Sequence, residues 1–168
     1  MGDKTMHRNV LYEERITAWW AIGTFGLLSL GFLFLAVFQE IRGPLGVNPA
    51  PTWLFFLLCT LFFSLGFNFR SLLIRITETR IRVSYGLVRR VIMVRDVSGC
   101  YTSKAHSVRY GGWGVRVFKS KKGFKLVYGV GGTPLVVLTL RSGRIHEFLF
   151  STMCQQRVVE TVNGLISP

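Results

Sequence analysis

The chain has 168 residues, of which 49% are hydrophobic and 14% aromatic, and its mean hydropathy is +0.38. This composition excludes an intrinsically disordered chain and argues against a purely soluble domain. The chain has 21 Lys+Arg and 8 Asp+Glu, so its formal net charge is +13.

The charge is divided unevenly along the chain. Residues 1–15 and residues 16–69 are each neutral overall, and the second range has only Glu40 and Arg42 as charged residues. Residues 70–168 have 17 Lys+Arg and four Asp+Glu, so they hold the whole net charge. This division predicts an N-terminal cytoplasmic segment at 1–15, a membrane segment at 16–69 and a basic domain at 70–168.

Two uncharged apolar stretches predict two transmembrane helices. Residues 16–38 would form a helix of roughly 34 Å, enough for a bilayer core of about 30 Å, and residues 52–69 would form one of roughly 27 Å. The alternative is a pair of buried core helices, but a soluble domain of this size could not cover two helices that are apolar all round. The connection at 39–51 contains Gly43, Pro44, Gly46, Pro49 and Pro51, and this predicts a short external loop.

The flanking residues predict the orientation of these helices. Lys and Arg residues flank the outer ends of the two stretches, whereas the loop between them has only Arg42. By the positive-inside rule, both termini are cytoplasmic and the protein is a multi-pass cell-membrane protein. The stretches contain no ionisable residue, and this favours anchoring and helix packing over transport.

The basic domain shows strand patterns followed by a helix pattern. In residues 80–85, Ile81, Val83 and Tyr85 alternate with Arg80 and Arg82, as in a half-buried strand. Further strands are predicted at 72–76, 91–94, 115–118, 124–128, 135–140 and 145–150, with hairpin loops at 119–123 and 141–144. The register of the 141–144 hairpin stays open, because both of its faces are apolar.

A C-terminal amphipathic helix follows these strands. Thr152 and Gln155 have the spacing of a capping box, and Val158, Val162 and Leu165 recur at helical spacing. The predicted fold class is therefore α+β: a two-helix transmembrane hairpin, then a bent antiparallel sheet of six or seven strands capped by a helix.

The order of these features resembles the membrane-anchored bacterial pleckstrin-homology-like (PH-like) family. The most specific match is residues 110–116, which resemble the family's GGWGIR run. The hairpin at 140–144 and Ser151-Thr152 before the last helix follow in the family's order. The last strand, 145–150, is longer than the usual pattern, and the loop at 119–125 is more basic. The resemblance implies a seven-stranded bent sheet capped by a helix; it implies little about activity, because one fold hosts many functions.

No catalytic, metal-binding or cofactor-binding motif is apparent. The three cysteines, Cys59, Cys100 and Cys154, are isolated and form no C-x-x-C. A triad could be drawn from Ser98, His106 and Asp96, but it lacks the context of a nucleophile elbow. The Gly-rich residues 129–132 lack the Gly-Lys-Ser/Thr ending of a phosphate-binding loop. The sequence therefore predicts no enzyme, no metal and no cofactor.

Two groups of residues are the candidate binding sites. The first is a basic cluster that could contact anionic lipid or a partner protein, or could be a solvated face: Lys104, Arg109, Lys119, Lys121, Lys122 and Lys125. The second is a Gly-Trp loop, in which Trp113 is either a core residue or a partner-binding or membrane-inserting one: Gly111, Gly112, Trp113 and Gly114.

These features predict a membrane-tethered adaptor or assembly factor. Its basic domain would contact anionic lipid headgroups or a partner protein at the inner face of the membrane. The alternative function is a permanent accessory subunit of a larger membrane complex, docked through its transmembrane helices; an enzyme acting on lipid headgroups is a third possibility. Nucleic acid is not an expected partner, because no RNA-recognition signature is visible.

Overall fold

A computed structural model of the chain describes residues 10–43, 46, 49–103, 107, 112–120 and 123–166. The chain forms two compact units. The helical unit is Ala18–Arg70, and the β unit combines Met1–Thr17 with Ser71–Pro168.

The helical unit has two apolar helices, α1 (Trp19–Arg42) and α2 (Thr52–Asn68). With 24 residues, or about 36 Å, α1 is the one described helix that is long and apolar enough to cross a membrane. Helix α2 is apolar but shorter, with 17 residues. The predicted first span, 16–38, needs correction at both ends, because α1 begins after Ala18 and continues through Glu40 to Arg42. It ends at Gly43, whose φ of 92° only glycine adopts readily.

The two helices pack directly against each other. The Phe32 and Phe62 rings are stacked with centroids 5.4 Å apart. The Ser29 hydroxyl donates to the Cys59 carbonyl oxygen at 3.1 Å. At Gly66, a Cβ atom would lie 3.0 Å from the Cβ of Phe25, so a larger residue would require Phe25 to shift at this close approach.

The β unit contains two sheets. The first sheet has β1 (Val10–Thr17), β2 (Ser71–Thr77), β3 (Arg80–Tyr85) and β4 (Val88–Met93), in that spatial order and all antiparallel. The second sheet has β5 (Val97–Thr102), β6 (Gly114–Ser120), β7 (Gly123–Gly129), β8 (Leu135–Leu140) and β9 (Ile145–Ser151), in the order β5-β8-β9-β7-β6. Helix α3 (Gln155–Ile166) follows β9.

The structure corrects two expectations about this unit. Strand β1 comes from the stretch expected to be a separate N-terminal segment and to begin the first span, so the division at residues 15 and 70 does not describe the β unit. The sheets contain nine described strands, and β7 pairs with β9 in parallel, whereas six or seven antiparallel strands were expected. Both differences involve strands that pair although they are distant in the chain. The alternation of residues within one strand does not indicate which strand it pairs with.

The core includes buried side chains of both sheets and of α3. Tyr128, Phe148 and Phe150 form an aromatic group with centroid distances of 5.3 and 5.8 Å. Helix α3 buries Val158 and Val162 completely, as its predicted spacing required. The combination of two packed sheets with a terminal helix confirms the α+β class.

Candidate anion-binding surface

The outward face of the first sheet is rich in arginine. Side chains alternate between the faces of a strand, so the burial of Ile74, Ile81 and Val83 leaves the residues between them facing outward. The outward positions include Arg15 on β1, Arg75 on β2, Arg80 and Arg82 on β3, and Arg89 on β4, and we call this set the arginine face. Glu13 is the one carboxylate among the strand residues of this face.

One cross-strand row places two arginines side by side next to the carboxylate. Glu13 lies opposite Arg75, Arg75 opposite Arg82, and Arg82 opposite Val91. Arg75 donates from Nε and Nη2 to the two carboxylate oxygens of Glu13, each at 3.0 Å. Like charges directly opposite each other destabilise a sheet, so the Arg75–Arg82 pair is not an arrangement that stability alone would favour.

A second row lies at the end of the sheet from which the chain passes to the helices. Arg15 lies opposite Leu73, Leu73 opposite Ser84, and Ser84 opposite Arg89. Arg15 and Arg89 are exposed. The face therefore combines planar guanidinium groups with aliphatic side chains, a combination suited to a surface that carries both phosphate and apolar groups.

The predicted basic cluster is described only in part. Lys104, Arg109, Lys121 and Lys122 lie outside the described residues. The register of β6 and β7 pairs Lys119 with Phe124 and Phe118 with Lys125, so Lys119 and Lys125 point to opposite faces of the second sheet. The Nζ atom of Lys125 lies 2.6 Å from Glu147 Oε2, and this ion pair compensates its charge. Lys119 is exposed.

The Gly-Trp loop is joined to the core. Gly111 lies outside the described residues, and Gly112 and Gly114 have φ values of 78° and 93°, which glycine adopts most readily. The Nε1 atom of Trp113 is buried, and Trp113 lies close to Tyr85 of β3. Burial raises the pKa of Tyr85 to about 12, and the nearby Trp113 opposes this rise. These contacts favour a structural role for Trp113.

Glu14 forms a polar cluster on the inward face of β1. Its Oε2 atom accepts hydrogen bonds from Tyr12 at 2.7 Å and from the Thr152 hydroxyl at 2.5 Å, and its Oε1 atom accepts one from the Met153 amide at 2.8 Å. Burial, and next the hydrogen bond to Glu14, raise the pKa of Tyr12. The cluster ties β1 to the segment that leads into α3.

The expected capping box of Thr152 and Gln155 does not form, because α3 begins at Gln155 and Cys154 precedes it. The Thr152 hydroxyl accepts a hydrogen bond from the Cys154 amide at 3.1 Å. Gln155 does not complete the box as predicted, because its side-chain amide donates to the Leu135 carbonyl oxygen at 2.6 Å. Gln155 therefore connects α3 to β8.

The described side chains do not form a metal site, a catalytic triad or a reactive cysteine. Among the residues that the structure describes, no group of three His, Cys, Asp or Glu side chains could hold a metal ion. Of the residues from which a triad could be drawn, His106 lies outside the described ranges, and the Ser98 hydroxyl donates to the Thr139 carbonyl oxygen at 3.1 Å. Burial raises the pKa of Cys100 to about 12, so its sulfur stays a thiol even at moderately alkaline pH.

Sequence reasoning found only part of the arginine face. The alternation in residues 80–85 placed Arg80 and Arg82 on one outward face. The sequence pattern does not indicate Arg15, because β1 is not predicted. It also does not place Arg75 and Arg89 on the same surface, because that requires the strand register. The strand-like alternation of Tyr12, Glu14 and Ile16 was the one local signal for β1.

No protein-family model, no curated protein and no solved structure matches the chain. Its function is therefore inferred from its own residues and their geometry.

Proposed function

We propose that this protein is a membrane-tethered binding protein whose β unit contacts anionic lipid headgroups through the arginine face. In this proposal, α1 and α2 form a transmembrane hairpin and the β unit is a PH-like domain on the cytoplasmic side. The observation that carries it is a sheet face with five arginines and one carboxylate, on a sheet whose strands β1 and β2 run directly into two apolar helices.

The exposure of the helices supports the membrane anchor. In the most apolar 18-residue window of α1, 17% of the residues are buried, whereas the core helix of a soluble protein is mostly buried. Leu27 and Phe34 of α1 are 74% and 66% exposed, and Phe63 of α2 is 66% exposed. Such an apolar surface suits a lipid environment and would promote aggregation in water.

The length of α2 is compatible with the same role. Its 17 residues reach about 26 Å, at the short end of the range for a spanning helix. A short span is accommodated by local thinning of the bilayer and by long flanking side chains that extend to the interface. Arg70 is such a flanking residue, and its guanidinium lies 4.7 Å from the centroid of the Phe67 ring.

The chemistry of the arginine face supports lipid headgroups as its ligand. Guanidinium groups bind phosphate oxygens in a bidentate manner, and each basic residue near an anionic leaflet contributes about 1 kcal/mol. Arg15 precedes the first residue of α1 by four positions, and four extended residues reach at most about 14 Å. Arg15 is therefore within four residues of the segment proposed to cross the membrane.

The architecture is consistent with the PH-like part of the proposal. Two packed antiparallel or mixed sheets followed by an amphipathic helix agree with the implied bent sheet and its helical cap. The chain differs from the seven-stranded pattern in having nine described strands and a parallel β7–β9 pair.

Charge removal at two places tests the proposal. The first variant carries Arg80→Gln, Arg82→Gln and Arg89→Gln. The matched control carries Arg116→Gln, Lys119→Gln and Arg144→Gln, which removes the same charge from exposed positions elsewhere. Binding of phosphatidylglycerol and phosphatidylcholine to the full-length protein in neutral detergent is measured at two salt concentrations.

We expect the arginine-face variant to lose about ten-fold or more of its preference for phosphatidylglycerol, and the control to keep it. Equal losses in both variants would show a general charge effect and overturn the assignment to this face. An unchanged lipid preference, together with lost binding of a Glu-rich peptide, would assign the face to an acidic protein partner instead.

The orientation is tested separately by cysteine labelling in cells, in a background without the native cysteines. A membrane-impermeant maleimide should label Asn48→Cys in intact cells and Ser167→Cys only after the cells are opened. The reverse pattern would place the β unit outside and contradict a cytoplasmic location.

A further inference from the structure

The turn between β3 and β4 presents an exposed leucine. Gly86, with a φ of 57°, allows the tight turn, and Leu87 follows it. Leu87 is 89% exposed, which is the highest exposure among the large hydrophobic side chains of the described residues. Its neighbour Val88 is 40% exposed, so the apolar surface at this tip extends beyond one side chain.

The strand register places this turn at a particular end of the first sheet. Thr17 lies opposite Ser71, and these are the residues at which β1 ends and β2 begins. One residue further into β2, Leu72 lies opposite Tyr85, and Tyr85 in turn lies opposite Val88. The β3–β4 turn is therefore at the end of the sheet from which the chain leaves for α1 and returns from α2.

The charges beside this turn match a membrane surface. Arg89 and Arg90 follow the apolar tip directly, and both are exposed. They alternate between the two faces of β4, so cationic groups stand on both sides of the tip. An apolar side chain flanked by arginines is the pattern of an element that enters the boundary between headgroups and acyl chains, because the arginines contact phosphates while the apolar group leaves water.

We propose that Leu87 inserts into the membrane that holds α1 and α2, with Arg89 and Arg90 at the level of the lipid phosphates. This inference rests on the proposed membrane tether and deepens it by naming an insertion point. The occupant is lipid because the tip shares its end of the sheet with the two chain connections to apolar helices and because its charge complements anionic headgroups.

The test compares the two ends of the same sheet. The full-length protein, with Cys59, Cys100 and Cys154 replaced by Ala, is labelled with the environment-sensitive fluorophore NBD at Leu87→Cys. The matched control is Thr79→Cys in the β2–β3 turn, which is exposed and lies about 20 Å away at the opposite end of β2. Both proteins are reconstituted into vesicles of phosphatidylcholine and phosphatidylglycerol, with and without doxyl-labelled phosphatidylcholine as a quencher.

We expect the label at position 87 to show blue-shifted emission and several-fold stronger quenching by the doxyl lipid than the label at position 79. A third label, at Leu30→Cys in the middle of α1, reports on the tether itself. Quenching at position 30 without quenching at position 87 would overturn the insertion and leave the tether intact. Absence of quenching at both positions would overturn the tether as well.

A blue shift at position 87 without doxyl quenching would mean that the tip contacts protein rather than lipid, and would also overturn the inference. Leu87 is exposed, so its replacement removes no core contact. A second variant, Arg89→Gln with Arg90→Gln, carries the same label at position 87. Its quenching should fall in vesicles that contain phosphatidylglycerol and change little in phosphatidylcholine alone.

Discussion

The two sheets of the β unit use the same alternation of side chains in different ways. In the first sheet, β2 and β3 bury one face completely, and their other face is mostly polar and charged, with Leu73 as its apolar residue. In the second sheet, consecutive residues of β7, β8 and β9 are buried, so both of its faces are covered over much of its area. A sheet covered on both sides contributes to the core, and a sheet with one free face can bind a ligand.

The two sheets also differ in the ratio of basic residues to carboxylates. The partly buried Lys125 of the second sheet is paired with Glu147, whereas the first sheet places five arginines around the single carboxylate of Glu13. A basic residue beside a carboxylate in a half-buried position contributes to the fold more than to binding. Charge counts from the sequence do not distinguish these two cases.

The largest expected difference between the sheets is in stability. Phe150 of the second sheet is fully buried and lies 5.8 Å from Phe148, measured between ring centroids. Phe150→Ala should lower the free energy of unfolding by about 3–5 kcal/mol, because it leaves a cavity in the core. Arg89→Gln, at an exposed position of the first sheet, should change it by less than about 0.5 kcal/mol. Urea unfolding of the full-length protein in detergent measures both, and similar losses would contradict the division of roles.

A second comparison uses two neighbouring residues on opposite faces of β1. Glu14→Ala removes the acceptor for Tyr12, Thr152 and the Met153 amide, and should cost about 2 kcal/mol of unfolding free energy. Glu13→Ala breaks an exposed ion pair with Arg75 and should cost less than about 1 kcal/mol. The same urea titration compares the two variants. A larger effect at Glu13 would contradict the conclusion that the inward face of β1, through Glu14, holds this strand in the fold.

A smaller effect is expected at the ion pair of the second sheet. Glu147→Gln should destabilise the protein by about 1 kcal/mol, because the Lys125 and Glu147 side chains are 27% and 21% exposed and keep some contact with water. The preference for phosphatidylglycerol should stay unchanged. An increase in that preference would show that Lys125, once released from Glu147, joins the binding surface, and would weaken the assignment of binding to the first sheet.

The free energy of unfolding should depend on pH in the alkaline range, above about pH 9, because two buried groups titrate there. Burial raises the pKa of Cys100 from 9.0 to about 12, and that of Tyr85 from 10.0 to about 12. Between these values the unfolded chain has released protons that the folded chain keeps, so the unfolding free energy falls as the pH rises. Tyr85→Phe and Cys100→Ala should each flatten this decline in urea titrations from pH 8 to 11. Tyr101→Phe, at a side chain that is 48% exposed, serves as the control.

Most of the strands could be predicted from local patterns. Strand β3 matches its predicted bounds, and Ile81, Val83 and Tyr85 are buried as the alternation required. The hairpins around residues 119–123 and 141–144 join β6 to β7 and β8 to β9 as predicted. These features depend on neighbours in the sequence, and the backbone geometry of a strand imposes its period of two on any half-buried segment.

The candidate site could be predicted less well. Lys119 and Lys125 of the predicted basic cluster are close in the chain, but the register places their side chains on opposite faces. The arginine face is formed by residues from four strands, and Arg15 is 60 positions away from Arg75 in the chain although their strands are neighbours. A local charge count does not reveal a surface of this kind.

The sequence by itself determined the apolar helices, the basic C-terminal part and the succession of strands before a terminal helix, because composition and short periodicities suffice for these. Only the tertiary structure decided that β1 completes the first sheet, that β7 and β9 are parallel and that five arginines share one face. Those features depend on pairing between strands that are distant in the chain. Backbone hydrogen-bonding groups are the same in nearly every residue, so they do not select the partner strand. The packing of side chains in the whole β unit selects it.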